Sequence, residues 1–495
     1  MRHGLCNVYK SLDMQHVSAV HQMFITMNLG ISLGGLLALI PSVLGIPLDT
    51  TSFSQADTIQ RDIAIIGGGA TGTYAAIRLK DQGKTVVVVE KDGELGGHAQ
   101  TYTTSDGVRV NYGVSSFQNK TVVLDFFSRF NIPLTQYKQI GIGDKYADFA
   151  TGQSLPDGTI PAPDFTGYLA QLDKVSLQLM LGHNALIPDR QYPYLEYSWD
   201  LPQPVPEDLL LPFSKFVEKH NLQDVAYIIA LFAAGNGNVL DQTTVYVMKL
   251  VDRQYLEGIA GKGVMPARYD THELYEKALT ALGSDALLSS TVTAGSRSKN
   301  GIQLVVKTRN GRKLIKAKKL LITAPPKLNN LDTFDLDKKE RGIFSQFESK
   351  ALYVALVNNT GLTAGYRYYN ADIDSMYHIP EYPALQMIWA TRANNTYWAW
   401  YSSPTEKSEA TVKSDIIAAV KHLAPTSDPQ VIAYDSHSPS TVGVTAEAIR
   451  KGFYNDLKSL QGHRNTWYTG STFLSDHSAH LWNFTEYEIL PALRS

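Results

Sequence analysis

Short apolar runs alternate with longer amphipathic stretches along the chain, which predicts an α/β fold. The clearest unit lies between residues 62 and 90. Its apolar run 62–66 predicts a strand, the stretch that follows through Leu79 predicts a helix, and the valines at 86–89 predict a second strand. This strand–helix–strand order is typical of the start of a Rossmann-type domain.

Further periodic segments occupy the middle of the chain. Residues 211–234 and 243–250 have helical periodicity, whereas 352–358, 387–391 and 397–402 have the pattern of sheet strands. An apolar sheet with a helical cap is a suitable wall for a substrate pocket. The sequence therefore predicts a second region, built from a mixed sheet and a helical cap.

The turn after the first strand has the sequence Gly-Gly-Gly-Ala-Thr-Gly, residues 67–72. Gly67 permits a tight turn, Gly69 lets the backbone approach a pyrophosphate, and Gly72 lets the helix pack closely against the strand. The helix N-terminus offers free N–H groups and a partial positive charge to phosphates. Glu90, at the end of the second strand, suits the hydroxyls of an adenosine ribose. A glycine-rich turn alone is weak evidence, but these features in this order predict a dinucleotide site.

The residues after Glu90 indicate which dinucleotide is bound. The run Leu-Gly-Gly-His at 95–98 resembles the paired-glycine extension of the FAD-binding amine-oxidase superfamily, which a nicotinamide-dependent dehydrogenase would not require. No second Gly-x-Gly-x-x-Gly follows a strand in the sequence, so a separate NAD(P) domain is not expected. The resemblance implies FAD as cofactor and favours dioxygen as electron acceptor.

Four later segments resemble the family strands that return to the cofactor: 108–113, 284–292, 319–326 and 466–470. Two additional strands are expected at 303–308 and 313–317, between the second and third of these segments. The order of the segments over most of the chain is hard to produce by chance. The candidate cofactor-binding residues are Gly67, Gly69, Ala70, Thr71, Gly72, Glu90, Gly96, Gly97, His98, Tyr112, Gly113, Val292, Thr323, Ala324, Gly470 and Ser471.

The same segments imply a discontinuous domain organisation. Residues 60–120, 255–330 and 462–495 are expected to form the Rossmann-type FAD-binding domain, and 121–254 with 331–461 the substrate domain. The motifs most resemble fungal secondary-metabolite flavoproteins related to β-cyclopiazonate dehydrogenase. That resemblance implies a two-electron oxidation of a small organic substrate, with desaturation or oxidative cyclisation as outcomes.

The N-terminal 46 residues predict a leader. The apolar stretch 31–46 is shorter than the roughly 20 residues that a membrane span needs, and it ends in small residues. It fits the apolar region of a signal peptide, with cleavage near 45–47 and with Met23 or Met27 as alternative starts. An unstructured tail with a membrane-associated stretch remains the alternative. Secretion is also favoured by Asn-x-Thr sequons, which predict a glycoprotein; they begin at Asn119, Asn358, Asn394 and Asn483.

Composition narrows the chemistry. The 45 Lys and Arg residues nearly balance the 47 Asp and Glu residues, so nothing indicates a nucleic-acid or anionic-membrane partner. The single cysteine, Cys6, precedes the expected cleavage point, which excludes disulfides and a cysteinyl flavin from the mature chain. His463, His477 and His480 lack the ligand spacing of a metal site, and we expect them in a polar surface segment.

His98 stands where amine oxidases commonly have an arginine beside the cofactor. Histidine lacks the permanent charge and planar donor fork of arginine. Its neutral imidazole can instead act as a nucleophile toward the 8α-methyl position of an oxidised flavin, which would tether the cofactor. The alternative is a plain hydrogen bond from His98 to the phosphate or the ring.

The catalytic residues are not identified by the sequence. Lys350 is a candidate for the lysine that amine oxidases often place near the flavin N5 atom. One alternative function is a secreted amine or L-amino-acid oxidase, for which Arg367 or Arg392 would bind the carboxylate. The other alternative is a flavin-dependent isomerase of polyunsaturated lipids. Trp398, Trp400 and the aromatic run 366–369 are candidates for lining a flat pocket.

Overall fold

The computed structural model describes residues 51–172 and 198–495. The expected leader, residues 1–46, lies outside this part of the chain. The strands are β1 (Thr58–Ile66), β2 (Val86–Val89), β3 (Thr101–Thr103), β4 (Arg109–Asn111), β5 (Leu134–Gln136), β6 (Gly143–Ala147), β7 (Val264–Pro266), β8 (Ala286–Leu287), β9 (Thr291–Ser298), β10 (Gly301–Thr308), β11 (Gly311–Ile322), β12 (Glu348–Asn358), β13 (Tyr366–Asn370), β14 (Ala384–Ala390), β15 (Thr396–Ser403), β16 (Gln430–Ser436), β17 (Ser440–Gly443) and β18 (Thr466–Tyr468).

The helices connect and cover two large sheets. They are α1 (Ala70–Asp81), α2 (Thr121–Arg129), α3 (Glu207–Leu210), α4 (Phe213–His220), α5 (Gln223–Phe232), α6 (Thr244–Leu250), α7 (Arg253–Glu257), α8 (Glu273–Leu282), α9 (Lys338–Phe344), α10 (Glu409–Leu423), α11 (Ala446–Arg450), α12 (Phe453–Lys458), α13 (Ser478–Phe484) and α14 (Leu490–Arg494). Two π-helical segments, Gly258–Lys262 and Thr485–Ile489, extend α7 and α13. Within residues 51–172 and 198–495, no helix combines the length and apolarity needed to cross a bilayer.

The first sheet has the order β8-β2-β1-β11-β10-β9, and β18 also pairs with β11. The strands β8, β2, β1, β11 and β18 are parallel, whereas β9, β10 and β11 form antiparallel hairpins. All four valines of β2 are buried, as expected for a strand covered on both faces. The sequence prediction of a Rossmann-type α/β fold is therefore confirmed.

The carboxyl ends of the parallel strands meet at one edge of this sheet. Ile66 at the end of β1 pairs with Val89 of β2 and with Ile322 of β11, and Ile322 pairs with Tyr468 of β18. The chain therefore leaves four neighbouring strands at the same level. This edge is where ligands bind in open parallel sheets.

The second sheet has the order β16-β12-β15-β14-β13-β6, with β17 paired to β12. Its strands are antiparallel except for the parallel pair of β6 and β13. Helix α10 covers one face through Val412, Ile416 and Val420. The other face is rich in tryptophan and tyrosine side chains and belongs to the larger core.

Three local differences from the sequence analysis have physical causes. The strands expected at 313–317 and 319–322 are one continuous strand, β11, because both its halves pair with β1. The returning segment 284–292 is broken between β8 and β9 at Ser289, which has a positive φ of 47°. The helical stretch 211–234 is divided at Asn221, whose φ of 53° ends α4.

The core of the first sheet extends past residue 120. Phe126 of α2 contacts Tyr74 of α1 with 4.8 Å between ring centroids, and Trp482 of α13 at 5.0 Å. Helix α2 therefore packs with the Rossmann-type elements, although the sequence analysis places it in the substrate domain.

Candidate active site

The fingerprint turn at 67–72 accepts only glycine at two positions. Gly67 has φ of 100°, and a Cβ there would lie 2.5 Å from Oγ1 of Thr323. A Cβ at Gly72 would lie 1.9 Å from the Gly67 carbonyl oxygen. The tight turn and the close approach of α1 that the sequence predicts are both present.

Gly69 and Gly97 form a cradle at the mouth of this turn. A Cβ on Gly69 would meet no atom closer than the Gly97 Cα, at 4.0 Å, and one on Gly97 would lie 3.2 Å from the Gly69 Cα. The two backbones therefore face each other across a space that side chains would fill. The space lies at the N-terminus of α1, where exposed N–H groups favour an anion. The residues present thus fit a pyrophosphate.

Glu90, the residue expected to contact a ribose, directly follows β2 and is buried. Its Oε2 accepts from the Gly68 N–H at 2.5 Å, and its Oε1 accepts from the Asp92 N–H at 2.8 Å. The Ser290 N–H donates to the Glu90 carbonyl oxygen at 2.8 Å. Because Val292 follows Ser290 by two residues, the candidate adenine segment lies near the end of β2.

Several other candidate residues shape the edge of the sheet by contacts within the protein. Thr323 donates its hydroxyl to the Ile66 carbonyl oxygen at 3.0 Å and precedes Ala324. Ala70 accepts from the Trp482 indole at 3.0 Å, and Thr71 is buried. Gly470 has φ of 112°, and a Cβ there would lie 2.7 Å from the Thr323 carbonyl oxygen.

The segment that begins with the paired glycines is fixed against Gly113. A Cβ on Gly113 would lie 1.9 Å from the His98 carbonyl oxygen, which accepts from the Val114 N–H at 2.9 Å. Gly96 has φ of 116° and packs on the Tyr275 ring. The structure therefore brings His98 beside Tyr112 and Gly113. We call the space beside Gly69, Gly97, His98 and Tyr112 the cofactor cleft.

Three acidic or imidazole groups at this cleft are missing from the candidates taken from the sequence. The His98 ring stacks on His437, with 4.0 Å between centroids and 12° between planes. His437 Nε2 lies 3.1 Å from Oδ2 of Asp435. Asp476 follows the turn Ser471–Phe473, and desolvation by the surrounding protein raises its pKa against the opposing effect of His477. No motif marks His437, because it lies more than 300 residues from His98 at the end of β16.

Tyr112 connects the cleft to the second sheet. Its carbonyl oxygen accepts from the Trp398 indole at 2.6 Å. Burial, together with the charges of Asp435 and Glu94, raises the pKa of the Tyr112 phenol to about 12. Tyr112 is therefore a neutral hydrogen-bond donor at physiological pH.

Aromatic side chains cover the face of the second sheet that continues from Trp398. Trp398 contacts Trp400 edge to face at 4.9 Å and Trp389 at 6.1 Å. Tyr369 contacts Trp389 at 5.8 Å, and Tyr146 stacks on Tyr369 at 5.4 Å. We call these five side chains the aromatic wall. Trp389 and Trp398 line a cavity whose opposite side includes Tyr137, Met265 and the strand β4.

The positively charged candidates differ in their availability. Arg367 is mostly buried and binds Asp144 at 2.6 Å, so its charge is already compensated. Arg392 lies 4.0 Å above the Tyr269 ring and lines the cavity beside the aromatic wall. Lys350 is half-buried, and its alkyl chain lies about 3.4 Å from the Cβ position of Gly237.

The expectation that the C-terminal histidines lie in a surface segment is wrong for His480. This side chain is fully buried on α13, with Nε2 at 3.2 Å from Oε1 of Gln254 and Nδ1 at 3.4 Å from Oδ2 of Asp252. Burial lowers its pKa well below the ordinary value, so the imidazole is neutral. The sequence prediction failed because the residues around His480 include several polar ones, whereas α13 packs its apolar residues into the core.

Comparisons with known proteins agree with this geometry. Residues 65–130 match a family model described as an NAD(P)-binding Rossmann-like domain. The chain is 40% identical to the FAD-dependent oxidoreductase pigF of Monascus ruber, over 89% of this chain and 93% of that protein. It is 39% identical to the FAD-dependent oxidoreductase dbaF of Emericella nidulans, over 90% and 94% of the two chains. It is 36% identical to the β-cyclopiazonate dehydrogenase of Aspergillus oryzae, over 89% and 94%.

Solved structures share the fold at low sequence identity. A fatty acid isomerase from P. acnes that produces CLA superposes with a TM-score of 0.67 at 17% identity, covering 87% of this chain and 98% of that one. Putrescine oxidase bound to putrescine superposes with a TM-score of 0.61 at 15% identity, covering 88% and 100%. These two likenesses concern the fold alone. The sequence relatives decide the family, and the chain belongs to the FAD-dependent oxidoreductases that include β-cyclopiazonate dehydrogenase.

Proposed function

We propose that this enzyme removes two electrons from a carbon centre of a small organic substrate, a secondary-metabolite intermediate, and passes them to dioxygen. The product is a desaturated or oxidatively cyclised compound. The observation that carries the proposal is the hydrogen bond from Trp398 to the Tyr112 carbonyl oxygen, which joins the cofactor cleft to the aromatic wall. FAD, when bound, supplies the two-electron acceptor.

The residues of the chain bind the cofactor, orient the substrate and exclude water from the site. The cradle of Gly69 and Gly97 holds the pyrophosphate, and Glu90 holds the adenosine end. The aromatic wall offers flat apolar surface on which an unsaturated or aromatic substrate can stack. A site of this kind needs orientation and low polarity more than it needs an acid–base residue.

Oxygen consumption and peroxide release test the reaction class. Purified enzyme would be offered β-cyclopiazonate, putrescine, a set of L-amino acids and a polyunsaturated fatty acid. We expect aromatic, polycyclic substrates to bleach the flavin absorption without oxygen, and admission of oxygen to restore it with one peroxide per turnover. Turnover of the fatty acid without oxygen uptake would instead indicate an isomerase, and activity confined to amines or amino acids an amine oxidase.

Two observations favour the polycyclic substrate over an amino acid. Arg367, the more buried of the two candidate carboxylate ligands, is neutralised by Asp144. The remaining candidate, Arg392, is exposed and stacks on Tyr269 at the border of the cavity. A carboxylate would therefore find a cation only at the rim.

We propose in addition that the flavin is tethered through His98. The ring is open to the cofactor cleft, and its nitrogens form no hydrogen bond with any residue of 51–172 or 198–495. Acid denaturation tests this directly. We expect the yellow chromophore to precipitate with the polypeptide, whereas complete release of FAD would favour a simple hydrogen bond from His98.

We also propose that the mature enzyme is secreted and carries N-linked glycans. Asn119 and Asn394 are exposed acceptors, whereas Asn358 is half-buried with its Oδ1 enclosed and Asn483 lies on α13. The double variant Asn119→Gln/Asn394→Gln should lose the mobility shift that endoglycosidase causes. The matched variant Asn358→Gln/Asn483→Gln should keep that shift. N-terminal sequencing of the protein from the medium should begin near residues 45–47, and an intact Met1 on cytosolic protein would contradict secretion.

A further inference from the structure

The stacked pair of His98 and His437 is the starting point. Parallel rings with centroids 4.0 Å apart place their N–H bonds in separate planes, so the two imidazoles do not hydrogen-bond to each other. The contact instead fixes the plane of the His98 ring. Both ring nitrogens of His98 remain directed away from His437.

His437 directly follows β16 and is bound to β12 through its backbone. Its backbone N–H donates to the Leu352 carbonyl oxygen at 2.9 Å. Its Nε2 lies 3.1 Å from Oδ2 of Asp435, which pairs with Val354 in the sheet. His437 is largely buried, so its ring forms a rigid support on one side of His98.

Charged and titratable groups from several elements lie near the His98 ring. His98 is influenced by His437, Asp435 and Lys91, and His437 also lies near Asp476. Burial opposes ionisation of Asp435, but the proximity of His437 outweighs this and lowers the pKa of the carboxyl. The resulting carboxylate lies directly against His437 Nε2.

His98 stays neutral at physiological pH. The surrounding protein disfavours its charged form, the neighbouring His437 disfavours it further, and together they lower the pKa of His98 despite the opposing charge of Asp435. A neutral imidazole presents one nitrogen lone pair, whereas an imidazolium presents none. The geometry thus provides both the orientation and the protonation state that a nucleophilic nitrogen needs.

We propose that His437, held by Asp435, is a positioning residue that keeps the His98 imidazole neutral and in a fixed plane facing the cofactor cleft. This inference rests on the proposed flavin tether. In the tethering step, the His98 nitrogen forms a bond to the 8α carbon, while one proton leaves that carbon and one leaves the imidazole. The two electrons that remain pass through the flavin to dioxygen, the proposed acceptor.

The test compares three chains: the wild type, His437→Ala and His437→Phe. Full-length protein made without riboflavin is incubated with FAD in air, and the fraction of flavin that resists acid denaturation is followed with time. We expect His437→Ala to slow attachment at least tenfold. His437→Phe keeps a flat ring without a titratable nitrogen, so we expect it to recover part of the rate.

The pH profile is the readout that loss of packing alone would not change. Wild-type attachment should stay constant as the pH falls below 6.5, the ordinary histidine pKa, because His98 remains neutral. In His437→Ala the pKa of His98 should rise toward its ordinary value, and the rate should fall below that pH. Identical profiles in the two proteins would overturn the proposal.

A second measurement separates this inference from the tether. In flavin-free, ¹⁵N-histidine-labelled protein, the His98 signals report its protonation directly. If the wild type attaches no flavin, the tether is wrong, while a His98 pKa that rises in His437→Ala still supports the positioning role. A His98 that titrates near pH 6.5 in both proteins would contradict the positioning role whatever the flavin attachment.

Discussion

Within the described part of the chain, two clusters of charged and polar side chains differ in how completely their hydrogen bonds are made. The first surrounds Arg297, which is fully buried between β9 and α9. Its guanidinium binds both oxygens of Glu340, at 2.7 and 2.8 Å, and Oδ1 of Asp335 at 3.0 Å. The Tyr468 hydroxyl completes the set by donating to Glu340 at 3.0 Å. In the second cluster, His98, His437 and Asp435, the His98 nitrogens form no hydrogen bond with any residue of 51–172 or 198–495.

This difference distinguishes polar groups that stabilise the fold from polar groups that can act on a ligand. A buried charge whose donors and acceptors are all used has no capacity left for a ligand. Asp337, Glu340 and His463 illustrate this, because their ligand atoms lie within 4.8 Å of one another as in a metal site. Both oxygens of Glu340 are nevertheless engaged by Arg297, and Asp337 caps α9. We therefore assign that group to stability and the His98 group to function.

The largest effect on stability is expected from Glu340→Gln. The substitution leaves the Arg297 charge buried with an incomplete set of partners, which costs about 3–5 kcal/mol of unfolding free energy. Urea unfolding would measure the loss. The matched control is Glu406→Gln, which breaks the exposed ion pair with Lys327 and should change the unfolding free energy little. Folded Glu340→Gln protein should still bind one flavin, and loss of flavin binding would weaken the assignment to stability.

The dependence of stability on pH in the acid range provides a second test of the structural role of Glu340. Burial opposes ionisation of Glu340, but its hydrogen bonds to Arg297 outweigh burial and lower its pKa below the ordinary 4.5. A lowered carboxyl pKa contributes stability above the unfolded pKa, and that contribution is lost as the pH falls through the folded pKa. The wild type should therefore lose stability below about pH 4.5 more steeply than Glu340→Gln. Parallel curves for the two proteins would contradict this role.

The second-largest effect on stability is expected from Gly69→Val. A valine side chain would project into the cradle opposite Gly97, block the pyrophosphate and leave the purified protein colourless. The protein should lose only the stabilisation that bound FAD provides, about 2.7 kcal/mol at roughly 100 times the dissociation constant. Gly342→Val is the control, because a Cβ at Gly342 meets no atom within 4 Å. Yellow Gly69→Val protein would show that the cradle is not the cofactor site.

Local chemistry explains which parts of the fold were predictable. The βαβ unit is marked by glycines that the backbone requires and by four buried valines, so neighbouring residues suffice to identify it. The break at Ser289 and the continuity of β11 depend on pairing with distant strands. His437 and the buried His480 were missed for the same reason, since each acquires its role from residues more than 200 positions away.

A smaller effect is expected from Trp398→Phe. This change removes the hydrogen bond to the Tyr112 carbonyl oxygen while keeping an aromatic ring in the wall. We expect a loss of about 1 kcal/mol of unfolding free energy, the usual value of one hydrogen bond. Because Tyr112 borders the cleft, KM for a stacked substrate should rise more than kcat falls. Trp467→Phe, on β18 outside the cavity, is the control, and equal kinetic changes in the two variants would contradict the proposed link.

The smallest effect on stability is expected from His98→Ala. The same variant should have a large effect on the attachment of the flavin. The ring is open to the cleft and makes no hydrogen bond that folding depends on within the described chain, so unfolding free energy should change by less than about 0.5 kcal/mol. Acid denaturation should nevertheless release all of the flavin as free FAD, because the mature chain expected from the sequence has no cysteine to form another link. The variant should still bind FAD through the cradle, and its flavin potential should fall, slowing oxidation more than it weakens substrate binding.

The matched variant His463→Ala removes a histidine that binds Asp337, the residue that caps α9 beside the Arg297 cluster. It should retain the attached flavin and lose stability instead. If both variants kept the flavin attached, the tether would lie elsewhere. The assignment of the His98 cluster to function would then be wrong.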